Sequence, residues 1–245
     1  MKTCQILGVN IAVTNMEETV KYLEEHIDKL RGEYITVCNG HTSVMAYEDQ
    51  EYRKVQNSAA LALPDGEPLS IVSRRRGYKE AQRVTGPDLM EEMFKRGQEG
   101  NGLRHYFYGG RQDTLDTLKE ILQKKYPKLQ IAEMYSPPFR KLTKEEKQAD
   151  IERINASNAD IIWIGLGAPK QENWMYEHKG KLQGVCIGVG AGFDYHAGKL
   201  KRAPMWVQKI SMEWFVRLMQ EPRRLWKRYL VTNAKFIWYT WREKK

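Results

Sequence analysis

Short apolar runs alternate with amphipathic helical patterns along most of this chain, and this alternation limits its possible folds more than any other feature. Strand-like runs occupy residues 5–13, 34–38, 61–63, 105–108, 130–132, 161–166 and 185–189. Helical patterns fall between them, at residues 14–30, 89–96, 114–125 and 144–157. Strands that alternate with helices favour a mostly parallel sheet covered by helices on both faces. The sequence therefore predicts an α/β fold.

Five of these runs end in glycine or polar residues. The endings are Asn39-Gly40, Pro64-Asp65-Gly66, Gly109-Gly110, the stretch GLGAPKQE and the stretch GVGAGFDYHAG. Ligands of open parallel sheets bind beyond the carboxyl ends of the strands, so shared endings of this kind predict one cleft. Pro-Asp-Gly is also a common turn signal. Asp65 is therefore either a turn residue or a carboxylate held at the cleft.

The glycines and histidines argue against two kinds of cofactor. Gly188, Gly190 and Gly192 have the spacing G-x-G-x-G, and no ribose-binding acid follows on a second strand, so a nicotinamide site is not expected. The five histidines form no metal-binding pattern, and no Asp-x-Asp pair is present to hold a nucleotide-bound cation. The sequence predicts neither a metal nor another cofactor. A diphosphate would then be neutralised by arginine and lysine.

Positive charge is concentrated at the end of the chain. Residues 199–245 hold 13 Lys and Arg against three acidic residues, while the whole chain of 245 residues has a formal net charge of +9. Five of the seven tryptophans lie there too, at positions 206, 214, 226, 238 and 241. Cationic, tryptophan-rich helices are typical of membrane surfaces. We predict a core at residues 1–198 and a helical membrane-docking appendage at residues 199–245.

Three arginines of this appendage, Arg217, Arg224 and Arg228, are spaced by seven and four residues. A continuous helix would place them on one face, although Pro222 interrupts the pattern. A solvated basic face is the alternative interpretation. Nucleic-acid binding is not expected, because the first 198 residues are nearly neutral and no nucleic-acid-binding motif is present. The three widely spaced cysteines and the short apolar start favour a cytoplasmic protein.

Seven motifs occur in a fixed order along the chain: LPDGEPLS, RVTGPDLM, SPPF, GLGAPKQENW, GVGAGFDYHAG, KRAP and MEW..RL..EP.RL..RY. Together they resemble the WecG/TagA/CpsF family of glycosyltransferases of bacterial surface-polymer synthesis. The resemblance implies a Rossmann-like core and an inverting, metal-independent transfer from a UDP-sugar. It further implies a polyprenyl-diphosphate-linked saccharide as acceptor, at the inner face of the cytoplasmic membrane.

The resemblance also assigns roles to individual residues. Asp65, in the PDG motif, matches the family's candidate general base, and Asn39 matches its substrate-contacting asparagine. We expect Gly109, Gly110 and Gln171 to contact the nucleotide. Further candidates are Tyr135, which would stack on uracil, and Asp194, which would accept its N–H; the alternatives are a core tyrosine and a turn aspartate. Arg217, Arg224 and Arg228 are expected to stabilise the diphosphate.

One position departs from the family pattern. Relatives usually carry Thr two residues before the asparagine, where this chain has Val37, and His41 or Thr42 are the candidate replacements for its hydroxyl. The donor sugar stays open, with N-acetylmannosamine the family's best-known choice. A soluble homodimer that becomes a membrane-bound monomer is a further expectation. The alternative function is a non-catalytic membrane-docking or nucleic-acid-binding module built on a nucleotide-binding core.

Overall fold

The computed structural model describes residues 1–204, 207 and 212–243, without the side chains of residues 213, 224 and 228. Trp206, one of the five tryptophans noted above, lies outside this range. The strands in the described residues are β1 (Thr3–Ile6), β2 (Val9–Ala12), β3 (Tyr34–Cys38), β4 (Leu61–Pro64), β5 (Arg104–Gly109), β6 (Gln130–Tyr135), β7 (Ile161–Gly165) and β8 (Val185–Gly188).

Helices separate most of these strands. They are α1 (Met16–His26), α2 (Gly40–Glu48), α3 (Gln50–Asn57), α4 (Glu67–Arg75), α5 (Gly86–Glu99), α6 (Gln112–Lys125), α7 (Lys144–Ala156), α8 (Lys170–His178), α9 (Gly192–His196), α10 (Glu213–Gln220) and α11 (Pro222–Arg242). The helical patterns predicted at residues 89–96, 114–125 and 144–157 correspond to α5, α6 and α7.

The strands form one sheet in the order β1-β2-β4-β3-β8-β7-β5-β6. Strand β1 is antiparallel to β2, whereas β2 pairs with β4, β3 with β8, β8 with β7, β7 with β5 and β5 with β6 in parallel. Burial of β3, β7 and β8 along nearly their whole length is typical of parallel strands. The predicted α/β fold with a mostly parallel sheet is confirmed.

The predicted strand at residues 5–13 is wrong, because the structure divides it into β1 and β2. A turn at Leu7 and Gly8, with φ of 50° and 79°, folds the chain back on itself. Ile6 then pairs with Val9 in an antiparallel hairpin. Two consecutive residues with positive φ are the signature of the tight turns that match the twist of a hairpin. The sequence did not indicate this turn, because the apolar run continues through it and Leu is rare at positive φ.

The chain divides into two compact units. The first comprises residues 1–16, 37–85 and 200–245, and the second comprises residues 17–36 and 86–199. The first unit has a core that includes Ile6, Ile11, Val44, Tyr52 and Phe236, so the last helix contributes to it. In the second unit the Phe94 ring contacts the rings of Phe107, Tyr126 and Trp163.

Helix α11 packs along α2 within the first unit. Glu48 accepts hydrogen bonds from Lys235 Nζ and from the Tyr239 hydroxyl, each 2.7 Å long. These two donors lower the pKa of the Glu48 carboxyl. Phe236 is buried beside Gly40 at the start of α2. No helix in the described part of the chain is both long enough and apolar enough to cross a membrane.

Candidate active site

Asp65 follows directly on the last residue of β4, in the first unit. Its backbone N–H donates to Cys38 O at 2.7 Å, which extends the strand contacts by one residue. Gly66 has φ of 92°, a conformation that glycine adopts without a steric penalty, and the chain then enters α4 with Pro68 in its first turn. Pro-Asp-Gly is thus a turn that carries Asp65, half-buried, at the end of the strand.

Asn39 lies beside Asp65 and has two structural tasks. Its Oδ1 accepts hydrogen bonds from the backbone N–H groups of His41 and Thr42, at 3.0 and 3.1 Å, and so caps α2. The Asn39 N–H in turn donates to Thr42 Oγ1 at 2.9 Å, which completes a capping box. The Asn39 amide donates to Asp65 Oδ2 at 3.5 Å. The candidate general base and the candidate substrate-contacting asparagine are therefore in contact.

Val37 is buried in β3. Of the two candidate replacements for the family's hydroxyl, Thr42 is part of the capping box and bonds Cys38 Sγ at 3.2 Å. The ring of His41 bonds Thr232 Oγ1 through Nδ1, at 3.2 Å. The Thr42 hydroxyl and His41 Nδ1 are therefore both hydrogen-bonded within the protein at this end of β3.

The appendage arginines are described only in part. The Arg217 side chain on α10 is mostly buried, with an exposed fraction of 11%, and its Nη2 lies 2.8 Å from Glu221 Oε2. Arg224 and Arg228 both lie on α11, but their side chains are outside the described residues. Contact of these three arginines with a diphosphate stays a prediction.

In the second unit, three parallel strands end in glycine. Gly109 of β5 pairs with Gly165 of β7, and Ile164 of β7 pairs with Gly188 of β8. The strands are in close contact there, because a Cβ on Gly109 would lie 2.8 Å from the carbonyl group of Gly165. The Gly110 N–H donates to Gly165 O at 3.1 Å. Side chains of the same unit fill the remaining space, because a Cβ on Gly165 would lie 2.6 Å from the Phe193 ring and one on Gly188 would lie 2.8 Å from Met175 Cε. Close packing within the protein therefore requires glycine at these strand ends.

Gln171, on α8, joins two of the glycine-rich stretches. Its Oε1 accepts hydrogen bonds from Gly167 N and Gly190 N, at 3.2 and 3.0 Å. Its Nε2 donates to Glu172 Oε1 at 2.7 Å, and the whole side chain is buried. The side chain fixes the relative position of the GLGAPKQE and GVGAG stretches. A direct contact with the nucleotide, as predicted, stays untested.

The two candidates for uracil binding lie in the second unit, on elements other than the helix that carries Gln171. Tyr135 ends β6, and the Arg153 guanidinium covers one face of its ring at 4.4 Å. Burial is the largest cause that raises the pKa of the Tyr135 hydroxyl. Asp194 lies in α9, half-exposed, and its backbone carbonyl accepts from Lys199 N at 2.9 Å. Both roles in uracil binding remain predictions.

In the residues that the structure describes, no three His, Cys, Asp or Glu side chains are placed to hold one metal ion. The Asn39–Asp65 pair lies in the first unit, and the glycine strand ends and Gln171 lie in the second. The sequence model of the glycosyl transferase WecG/TagA/CpsF family matches residues 4–245.

The chain belongs to this family.

Membership in the WecG/TagA/CpsF family makes the chain a glycosyltransferase. A similar protein from Bacillus subtilis (strain 168) is 30% identical over 232 residues, covering 94% of this chain and 88% of the relative. It is named N-acetylglucosaminyldiphosphoundecaprenol N-acetyl-beta-D-mannosaminyltransferase. A protein of the same name from Staphylococcus aureus (strain MW2) is 26% identical, covering 90% of this chain and 85% of the relative. These alignments extend along nearly the whole of each protein.

Several contacts near the predicted positions were not anticipated from the sequence. Ser136, in the SPPF motif, donates its hydroxyl to Gly110 O at 2.8 Å. Phe193 lies against Gly110 and Gly165, where a Cβ on Gly165 would approach its ring to 2.6 Å. Thr42 completes the cap at Asn39. The motif membership of Ser136 and Phe193 was the available signal, whereas their contacts depend on tertiary structure.

Proposed function

We propose that this glycosyltransferase moves an N-acetylhexosamine such as N-acetylmannosamine from a UDP-sugar to a GlcNAc-diphosphate-polyprenol acceptor, with inversion and without a metal. The names of its relatives support the donor sugar and the acceptor. The observation that carries the mechanism is the contact between Asn39 and Asp65 at the ends of two strands. Membership of an enzyme family favours catalysis over a non-catalytic binding module.

In the proposed reaction, Asp65 accepts the proton of an acceptor hydroxyl. The hydroxyl oxygen bonds to the anomeric carbon of the donor while the bond from that carbon to the UDP oxygen breaks. UDP leaves with the electron pair, on the face opposite the attack, so the configuration inverts. The Asn39 amide holds the carboxylate in place, and a positioned base of this kind contributes about 10²–10⁴-fold to a rate.

Positive charge must balance the diphosphate that leaves. Arg217, Arg224 and Arg228 are the proposed groups, because guanidinium ions bind phosphate oxygens through two parallel hydrogen bonds. Gly109, Gly110 and Gln171, with Tyr135 and Asp194, are proposed to bind the UDP group. In this assignment Gln171 acts mainly by holding two glycine-rich stretches together, since its carboxamide oxygen already accepts two backbone bonds.

Helix α11 supports the proposal of a membrane-docking appendage at residues 199–245, beside a catalytic core at residues 1–198. Thr232 and Phe236 are buried on one side of this helix. Leu230, Ile237 and Trp241 lie about half a turn away, with exposed fractions of 69%, 68% and 51%. Exposed aliphatic and tryptophan side chains on a basic helix fit the interface of an anionic bilayer. We propose the inner membrane face as its location.

The carboxylate is tested by Asp65→Asn, assayed as UDP release from a panel of UDP-sugars with a short-chain GlcNAc-diphosphate lipid and mass detection of the product. We expect turnover to fall at least 100-fold, while calorimetric UDP affinity stays within twofold. Asp49→Asn is the matched control, because Asp49 caps α3 through Oδ1 and asparagine preserves that bond. A variant Asp65→Asn with more than a tenth of the original turnover would refute the proposed base.

The two tasks of Asn39 are separated by a pair of substitutions. Asn39→Ser keeps a good N-cap but is too short to reach Asp65, whereas Asn39→Ala removes both contacts. We expect Asn39→Ala to cost about 1 kcal/mol of unfolding free energy and Asn39→Ser only a few tenths. Both should lower turnover by a similar factor. Normal turnover in Asn39→Ser would leave Asn39 with a purely structural role.

A further inference from the structure

A part-buried polar contact joins helix α11 to the start of α2. Thr232 on α11 has an exposed fraction of only 6%, and its Oγ1 shares a hydrogen bond with His41 Nδ1, 3.2 Å away. Phe236, one turn further along, packs beside Gly40. The residues in contact are separated by 191 positions in the sequence. The end of the chain is therefore joined to the first turn of α2.

His41 is also the residue whose backbone holds Asn39. The His41 N–H donates to Asn39 Oδ1 at 3.0 Å, and the Asn39 amide donates to Asp65 Oδ2 at 3.5 Å. Three hydrogen bonds thus connect Thr232, through His41 and Asn39, to the carboxylate. The bond to Asp65 is the longest of the three, so the position of Asn39 decides whether it is made.

We propose that Thr232 and His41 are positioning residues, through which the C-terminal helix orients the Asn39–Asp65 pair for catalysis. This inference rests on the proposed function, in which Asp65 is the general base. It gives α11 a role distinct from supplying arginines or binding lipid. Removing the Thr232 hydroxyl lets the His41 ring and the first turn of α2 shift, and the Asn39 amide then loses its hold on Asp65.

The test compares three variants of the 245-residue chain, each with one substitution on α11. Thr232→Val keeps the shape of the side chain and removes the hydroxyl, and Thr232→Ser restores the hydroxyl. Thr240→Val is the matched control, because the Thr240 hydroxyl donates only to carbonyl groups of its own helix, Phe236 O and Ile237 O. Each variant is assayed for UDP release with the GlcNAc-diphosphate lipid, and kcat and both KM values are measured.

We expect Thr232→Val to lower kcat about 3- to 10-fold, the size of effect of one neutral hydrogen bond, with both KM values within twofold. Thr232→Ser restores kcat to within twofold of the original, and Thr240→Val leaves it within the same limit. A merely structural contact would change stability without this split between kcat and KM. Unchanged kcat in Thr232→Val, or an equal fall in Thr240→Val, overturns the inference.

His41→Phe provides a second perturbation if Thr232→Val does not fold. It keeps a ring at position 41 and the backbone N–H that bonds Asn39, and it removes the bond to Thr232. The same 3- to 10-fold fall in kcat is expected, and an unchanged kcat overturns the inference.

Two further measurements separate this inference from the proposed function. Full turnover in Asp65→Asn would refute the proposed function, in which Asp65 is the general base. A large loss of turnover in Asp65→Asn, together with unchanged kcat in Thr232→Val and His41→Phe, would refute only the positioning role. In the Asp65→Asn background the Thr232→Val change should have no further effect on residual turnover, because residues that act through one group are not additive. A full additional loss there contradicts the proposed path.

Discussion

Gly109 ends β5 at a point where a side chain has no space, so Gly109→Ala is a sharp test of how the sheet edge is built. Its φ of 110° lies in the region that L-residues avoid. A Cβ at this position would lie 2.8 Å from both the carbonyl carbon and the oxygen of Gly165. The clash is with backbone on the neighbouring strand β7, which cannot rotate away as a flexible side chain would.

The expected cost has two parts. The positive φ costs an alanine about 1–2 kcal/mol. Extra atoms forced into a close-packed site add about 1–3 kcal/mol, because strand pairing fixes the distance from Gly109 to Gly165. We therefore expect Gly109→Ala to lower the free energy of unfolding by about 2–5 kcal/mol. For a chain of this size each kcal/mol corresponds to about 2–4 °C in Tm.

Gly100→Ala provides the matched control in the same unit. Gly100 has φ of 97°, and a Cβ there would meet nothing within 4 Å. This variant carries the conformational cost alone, partly offset because alanine loses less backbone entropy on folding than glycine. Its expected loss is about 1 kcal/mol or less. Urea unfolding followed by circular dichroism measures both variants, and calorimetry measures their affinity for UDP.

The difference between the two variants isolates the contact with Gly165. We expect Gly109→Ala to exceed Gly100→Ala by about 1–3 kcal/mol and to weaken UDP binding, while Gly100→Ala leaves UDP affinity unchanged. Equal losses of stability would refute the reasoning, because they would show that the strands separate at no cost. A loss of stability with normal UDP affinity would limit Gly109 to a structural role.

Three further predictions follow from buried or paired groups. Burial lowers the pKa of His105 from 6.5 to about 4, so the unfolded state binds more protons between these values and stability falls as pH falls. The free energy of unfolding by urea should therefore drop by about 1.5 kcal/mol between pH 6.5 and 5, and by less in His105→Gln. Gln171→Leu leaves two part-buried backbone donors, Gly167 N and Gly190 N, without an acceptor and should cost about 1–3 kcal/mol by the same method; an unchanged free energy of unfolding would contradict this. Glu48→Gln weakens an exposed ion pair and should change trypsin cleavage of the C-terminal helix less than threefold, whereas Phe236→Ala opens a buried site and should increase it more than tenfold.

The parallel part of the sheet was predictable because its strands are buried on both faces and read as continuous apolar runs. Trp163 and its neighbours in β7 show this pattern plainly. The hairpin at Leu7 and Gly8 was not predictable, since the apolar run continues through the turn. Helix α2 was missed for a related reason. Its buried residues include Thr42 and Ser43, so its inward face has no apolar period.

Asp65 and Asn39 could be found from the sequence because each follows a strand and stands next to a glycine. Their mutual contact requires only that the two strands end at one level of the sheet. The contact of Thr232 with His41 had no local signal, because a threonine on a basic helix reads as a solvated residue. Burial by a segment nearly 200 residues away gives that hydroxyl its partner. The contact between Thr232 and His41 therefore depends on tertiary packing, which local sequence patterns do not indicate.

The two roles proposed for helix α11 use different sides of the helix. Thr232 and Phe236 are buried in the first unit, whereas Trp241 is exposed and lies opposite Thr232, since residues nine positions apart on a helix are half a turn out of phase. Lipid contact on the exposed side therefore leaves the Thr232–His41 bond in place. Under the two proposals together, the carboxylate is already oriented before a membrane is reached, and the proposed docking acts by bringing the lipid-linked acceptor to that carboxylate.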